Sequence, residues 1–109
     1  MKKDPQVFLK HILESIEWIE RETQGLSQDQ FMQNVPTQDA AIRRLEIIGE
    51  AVKNIPTNFK KEYPNIPWKK IAGLRDKLIH GYFGIDLELV WKIIERDLPL
   101  FKKQIQEML

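Results

Sequence analysis

Apolar side chains along the chain recur at spacings of three and four residues, which is the period of an amphipathic helix. The first run follows Pro5, a residue that fits the first turn of a helix, and should end near Gly25. Its members are Phe8, Leu9, Ile12, Leu13, Ile16 and Ile19. The pattern predicts one long helix at the start of the chain.

Two further helical segments are predicted before residue 57. Ser27 and Gln30 have the spacing of a capping box, which favours a short helical turn before Pro36 interrupts it. A second long helix should then run up to Pro56. Five apolar residues share one stripe of that helix: Ala41, Leu45, Ile48, Val52 and Ile55.

Residues 57–67 are rich in proline and predict an irregular connector with one helical turn at most. A third helix should begin near Pro67 or Trp68 and end at Gly81, and Asp86 can cap a last helix that Pro99 kinks or restarts. The apolar positions of these two helices are Ile71, Leu74, Leu78, Leu87, Val90, Ile94, Leu98, Phe101, Ile105 and Met108.

No strand-like alternation of useful length interrupts this pattern, so we expect an all-α fold. Four main helices plus short turns should form a small antiparallel helical bundle, with residues 1–109 as a single domain. Three apolar residues outside the main stripes favour a second buried surface, for which a homodimer is the natural candidate: Ile42, Ile47 and Trp91.

Composition narrows the class of protein. The chain is 42% hydrophobic, enough for one core, and no apolar run approaches the roughly 20 residues that cross a bilayer. The basic N-terminus is followed by an acidic, amphipathic segment rather than a secretory signal, so we expect cytoplasmic residence and no membrane association. Without cysteine and with two histidines, we expect no disulfide, no metal and no cofactor.

The net charge of +1 is unevenly distributed. Residues 53–80 carry a local excess of +5, and the rest of the chain sums to −4. Clustered lysine and arginine suit a polyanion such as RNA, although a solvated basic loop gives the same pattern. The candidate RNA-binding side chains are Lys69, Lys70 and Lys77.

Residues 73–86 contain the strongest candidate for chemistry. Arg75 and His80 lie roughly 140° apart around an ideal helix, so one straight helix does not present both side chains to the same phosphate. Arg75 should project near the apolar stripe, where a charge is costly unless a carboxylate or phosphate pairs with it. Asp76 lies one turn before His80 and could orient the imidazole through a hydrogen bond.

Arg75, Asp76 and His80 resemble the Arg-polar-x3-His signature of the HEPN superfamily, and Tyr82 extends it to the Arg-x4-His-x-Tyr form of HepT-like toxins. Residues 41–53 are also similar to the second helix of that family. The resemblance covers nearly the whole chain.

The resemblance implies a metal-independent endoribonuclease toxin of a toxin–antitoxin pair, with one composite cleft across a symmetric homodimer. Arg75 would bind phosphate, His80 would transfer protons and Asp76 would orient His80. Tyr82 would be adenylylated by a cognate minimal nucleotidyltransferase antitoxin. RNA, with tRNA or mRNA as candidates, is the implied substrate.

Other interpretations remain open at this stage. Arg75 could form a salt bridge with Glu46 or Glu50 while His80 caps a helix, and the domain could be a non-catalytic nucleotide-binding, RNA-binding or nucleotidyltransferase-interacting module. His11 has no matching ligand and reads as an ordinary surface or boundary residue. The tryptophans could stack on bases, although core or interface roles are commoner: Trp18, Trp68 and Trp91.

Overall fold

The computed structural model describes residues 4–78 and 84–109. Its first helix, α1, spans Pro5–Thr23 and begins where the Asp4 carboxylate accepts a hydrogen bond from the Gln6 backbone N–H at 2.9 Å. Gly25 then turns the chain with a φ of 78°, a left-handed conformation that glycine adopts without strain. The predicted first helix and its end near Gly25 are confirmed.

The predicted capping box is present at the start of α2, which spans Gln28–Met32. Ser27 accepts from the Gln30 backbone N–H, and the Gln30 side chain accepts from the Ser27 backbone N–H. Helix α3 then spans Val35–Asn54 with Pro36 in its first turn, where a missing N–H costs nothing.

The third predicted helix is divided in the structure. Helix α4, Thr57–Lys61, supplies the single turn expected in the connector, and it is followed by α5, Trp68–Ala72, and α6, Leu74–Leu78. The break falls at Gly73, whose φ of −90° and ψ of 9° leave the helical region. Glycine is a poor helix former, which is the physical reason why the continuous helix predicted from the sequence is wrong.

The C-terminal segment is one interrupted helix. Helix α7 spans Leu87–Lys92, a π-helical turn spans Ile93–Asp97, and α8 spans Leu98–Met108. The Asp86 side chain caps α7 by accepting from the Leu89 N–H at 3.0 Å, as predicted. Pro99 lies in the first turn of α8. Because proline has no backbone N–H, one helical hydrogen bond is missing at this position, and the wider π turn before it accommodates that loss.

Helix α1 lies between α3 and α8 and runs antiparallel to both. At one end the Gln6 side chain donates to the Met108 carbonyl at 3.3 Å, and at the other Lys102 Nζ lies 2.7 Å from Glu20 Oε1. Trp18 near the end of α1 contacts Arg44 in the first half of α3, which fixes the second antiparallel pair. The fold is therefore the expected all-α bundle, and within the described ranges every helix is too short or too polar to cross a bilayer.

The apolar stripes meet in one core. Ile42 and Trp91, which the sequence left outside the main stripes, are buried within the single chain, and Trp91 stacks at a tilt on Phe31 with ring centroids 5.1 Å apart. They therefore do not supply the second buried surface that we expected of them. Trp68 is also a core anchor, because its indole N–H donates to the carbonyls of Lys60 and Tyr63.

Gly49 sets the distance between α3 and α5. A Cβ atom built at Gly49 would lie 3.3 Å from the Ile71 carbonyl oxygen and 3.4 Å from that of Ala72. Both neighbours are backbone atoms, so they yield only if α5 moves. The close approach fixes where α6, the next segment, begins beside α3.

We expect Gly49→Val to destabilise the fold by about 1–3 kcal/mol, because its γ-methyl groups add to a contact that is already tight at Cβ. Chemical denaturation followed by circular dichroism measures the change. Lys53→Val is the matched control, since it introduces the same β-branched side chain at an exposed position of α3. Equal losses in the two variants would contradict the packing role of Gly49.

Candidate functional site

Arg75 lies on α6 and faces α3. Its Nε is 3.9 Å from Oε2 of Glu46, with 63% of the arginine side chain and 25% of the glutamate side chain exposed. The expectation that Arg75 lies near the apolar stripe is wrong, because Leu74 and Leu78 enter the core while Arg75 extends into solvent. A guanidinium placed this way keeps most of its N–H donors available for an anion.

A cavity of about 360 Å³ lies beside this ion pair, between α1, α3 and α6. Its size is within the range that holds a small organic ligand. The α1 side contributes Phe8 and His11, and Arg75 closes the α6 end. The α3 wall consists of Arg43, Glu46, Ile47, Glu50, Ala51 and Asn54.

The cavity combines charges of both signs. Glu46 pairs with Arg75, and Glu50 pairs with Lys53 at 3.4 Å, whereas Arg43 has no carboxylate within ion-pairing distance in the described part of the chain. Exposed ion pairs contribute no more than about 1 kcal/mol, so exchanging Glu46 for a phosphate on Arg75 costs little. The arrangement suits an anion with an apolar portion, such as a nucleotide.

The structure places the other predicted site residues unevenly. Asp76 is exposed on α6 and forms no side-chain hydrogen bond or ion pair with another described residue. His80 and Tyr82 lie outside the described residues. The contact between Asp76 and His80 and the separation of Arg75 from His80 therefore stay predictions from the sequence.

The predicted RNA-binding lysines are exposed but do not line the Arg75 cavity. Lys69 and Lys70 lie on α5, where Lys70 borders a largely apolar groove against α8, and Lys77 lies on α6. In the same basic stretch, burial lowers the pKa of the Lys60 ammonium from its ordinary value. These lysines therefore form no part of the wall of the Arg75 cavity.

Sequence reasoning missed two members of the cavity, His11 and Arg43. His11 was interpreted as an ordinary surface or boundary residue, and Arg43 was assigned no role, because nothing in either helix alone shows that they meet. The antiparallel pairing of α1 with α3 brings them to the same cavity as Arg75. Among residues 4–78 and 84–109, no three histidine or carboxylate side chains converge in a way that could hold a metal ion.

The all-α bundle with the Arg75-to-Tyr82 motif defines a HEPN-type domain. The family model described as ribonuclease HepT-like matches residues 12–108, and the chain belongs to this family.

Three relatives extend the match over the whole chain. A Thermococcus cleftensis protein named "Probable ribonuclease HepT" is 45% identical over 108 residues, which cover 99% of this chain and 98% of that protein. "Putative RNase TTE0752" of Caldanaerobacter subterraneus is 43% identical over 107 residues, covering 98% and 96%. A Methanocaldococcus jannaschii protein named "Gamma-glutamylcyclotransferase and putative RNase MJ0434" is 49% identical over all 109 residues, but this chain spans only 49% of its length. No solved structure matches the chain.

Proposed function

We propose that this chain is a metal-independent endoribonuclease toxin of a toxin–antitoxin pair, acting in the cytoplasm on RNA such as tRNA or mRNA. The observation that carries the proposal is the HepT-like ribonuclease match over residues 12–108, a range that includes Arg75, His80 and Tyr82. Residues 1–109 would form a single HepT-like helical domain in this proposal. The exposed, weakly paired guanidinium of Arg75 supports the choice of phosphate-binding residue.

The chemistry needs proton transfer and charge stabilisation but no metal. His80 takes the proton from a ribose 2′-hydroxyl as the 2′-oxygen attacks the adjacent phosphorus. The P–O5′ bond then breaks as His80 returns that proton to the leaving O5′ oxygen. Arg75 stabilises the negative charge on the crowded phosphate, and Asp76 holds the imidazole in one tautomer. The products are a 2′,3′-cyclic phosphate and a 5′-hydroxyl end.

A homodimer assembles the site in this proposal. An isologous dimer repeats α6 around its two-fold axis, so Arg75 of one protomer can act with His80 of the other. That arrangement removes the need for one helix to present both side chains to the same phosphate. Lys69, Lys70 and Lys77 would attract the flanking RNA through its backbone charge.

The test of the proposed function is cleavage of total RNA and of purified tRNA in excess chelator. The protein is first confirmed by mass spectrometry to be unmodified. Cleavage at the same rate with and without chelator, yielding cyclic phosphate ends, supports the proposal. Intact RNA, or cleavage that returns only when a divalent cation is added, would overturn it.

A non-catalytic binding module is the second candidate, and the Arg75–Glu46 ion pair is the observation that favours it. If Arg75 served only to join α6 to α3, Glu46→Gln would release α6 and destabilise the fold as much as Arg75→Ala does. The exposure of this ion pair argues for a small effect of either change on stability. RNA binding without cleavage by the unmodified protein would favour the module.

Tyr82→Phe is expected to leave RNA cleavage unchanged and to remove neutralisation by the nucleotidyltransferase, because phenylalanine lacks the hydroxyl that accepts the adenylyl group. Incubation with the cognate nucleotidyltransferase and ATP, followed by intact-mass measurement and a cleavage assay, reads out both effects. Tyr63→Phe is the matched control, since Tyr63 is the only other tyrosine in the sequence. Full neutralisation of Tyr82→Phe would show that the acceptor lies elsewhere.

A further inference from the structure

Trp18 differs from the other two tryptophans in its exposure. Trp68 and Trp91 are buried in the core, whereas 38% of Trp18 is exposed on α1. Two guanidinium groups lie over its ring, with the Cζ atom of Arg21 5.0 Å and that of Arg44 5.4 Å from the ring centroid. An exposed indole with two cations is therefore presented at the junction of α1 and α3.

No direct ion pair within the described residues neutralises the two arginines of this cluster, and Arg21 shares a surface depression with Glu17, Glu20 and Glu95. Neither Arg21 nor Arg44 has a carboxylate oxygen within ion-pairing distance among the residues that the structure describes. Ring distances of 5.0 and 5.4 Å place the two Cζ atoms within about 10 Å of each other, no farther than the Debye length of ordinary buffers. A bound phosphate can pair with either guanidinium without breaking an existing ion pair.

A purely structural role accounts for only part of this arrangement. Contact of Arg44 with Trp18 joins α3 to α1, but one arginine is sufficient for that contact. Arg21 belongs to the same helix as Trp18 and adds no connection between helices. The second cation and the partly exposed indole are features of a surface that binds a base together with its phosphate.

We propose that Trp18, Arg21 and Arg44 form a contact site for single-stranded RNA outside the Arg75 cavity. A nucleobase takes the place of one guanidinium on the face of the indole, and the displaced guanidinium binds a flanking phosphate together with the other one. The inference rests on the proposed function only in taking RNA as the ligand. Single strands are favoured because the bases of a duplex are already stacked on each other.

The position of the cluster fits a strand that also enters the Arg75 cavity. Trp18 lies two helical turns, about 10 Å, along α1 from His11, which lines that cavity. On α3, Arg44 follows directly after Arg43, another cavity residue. The cluster and the cavity thus occupy neighbouring positions on the same two helices, α1 and α3.

The test uses a 2′-O-methyl oligouridylate, which lacks the nucleophilic hydroxyl and so reports binding without cleavage. Binding should quench the fluorescence of the native protein, and Trp18→Phe should abolish that quenching while retaining most of the affinity. Trp18→Ala should weaken binding by about 5- to 100-fold. The duplex formed with oligoadenylate should bind more weakly and quench less.

Arg44→Gln tests the phosphate contact. The slope of log affinity against log salt should become shallower by about 0.7, the value for one phosphate contact on a single strand. Arg96→Gln is the matched control, because it removes the same charge from an exposed position on the π-helical turn that makes no contact with the Trp18 ring. The control should leave the slope unchanged.

Three results would overturn the inference: no quenching by the oligonucleotide, equal effects of Arg44→Gln and Arg96→Gln, or a change of oligomeric state in Trp18→Ala by sedimentation equilibrium. The last result would make the cluster a protein interface. The binding measurements do not depend on whether the protein cleaves RNA. If the protein leaves RNA intact but its oligonucleotide binding depends on Trp18, the proposed contact site stands and the nuclease proposal fails. If the protein cleaves RNA and Trp18→Ala binds the oligonucleotide as tightly as the native protein, the nuclease proposal stands and the contact site fails.

Discussion

Replacing His80 by alanine should reduce RNA cleavage by about 10²- to 10⁴-fold, the contribution of a general acid–base residue. The loss should fall mainly on kcat, because proton transfer contributes to the transition state and little to substrate binding. Single-turnover cleavage of a defined tRNA by purified variants, each checked for native circular dichroism, measures the effect.

His11→Ala is the control for this experiment, since His11 is the only other histidine in the sequence and lines the Arg75 cavity. We expect its kcat to stay within a few fold of that of the native protein. If His11→Ala lost cleavage and His80→Ala retained it, the acid–base role would belong to α1 and the motif-based assignment would be wrong.

Arg75→Ala should reduce cleavage by about 10²- to 10³-fold, the cost of removing one donor that stabilises transition-state charge. Its thermal stability should change by less than about 1 kcal/mol, because the side chain is mostly exposed and its ion pair with Glu46 is long. Arg75→Lys should recover only part of the activity, since lysine keeps the charge but lacks the planar fork of donors.

Arg43→Ala separates a specific role of Arg75 from the general loss of a positive charge. Both arginines line the same cavity, so the two variants remove equal charge from nearly the same place. Arg43→Ala should raise KM and leave kcat almost unchanged. Equal losses of kcat in the two variants would contradict the assignment of Arg75, and large destabilisation of Arg75→Ala would favour its structural interpretation.

The elements that depend on local chemistry could be predicted from the sequence. Capping by Ser27 and by Asp86 is present in the structure as expected, because each cap needs only a side chain and a backbone N–H three residues away. The periodic stripes of α1 and α3 likewise predict two long helices. The α3 stripe is buried, and so is the α1 stripe apart from the partly buried Phe8 and Leu13. These predictions succeed because the capping residues and the helical period indicate the same helices.

Predictions that depend on several elements at once were less successful. The third predicted helix is divided at Gly73, whose backbone angles lie outside the helical range. Ile42 and Trp91 lie outside the main stripes by period, yet neighbouring helices bury both within one chain. Burial by a neighbouring element cannot be read from the periodicity of the element itself.

The site shows the same division between local and tertiary information. The motif identifies Arg75 and its neighbours along the chain, but the cavity beside Arg75 is formed mostly by α1 and α3. Glu46 was one of two glutamates considered as a partner of Arg75, and the distance of 3.9 Å selects it over Glu50, which pairs with Lys53. Only the packing of three helices brings Arg43 and His11 beside that pair.

Complementation between two inactive variants tests the composite site most directly. The Arg75→Ala and His80→Ala chains are co-expressed with different tags, and the mixed dimers are isolated and assayed with chelator. If Arg75 of one protomer acts with His80 of the other, each mixed dimer retains one intact pair, so about half of native activity should return. Mixed dimers that are as inactive as either parent would contradict a site shared between protomers.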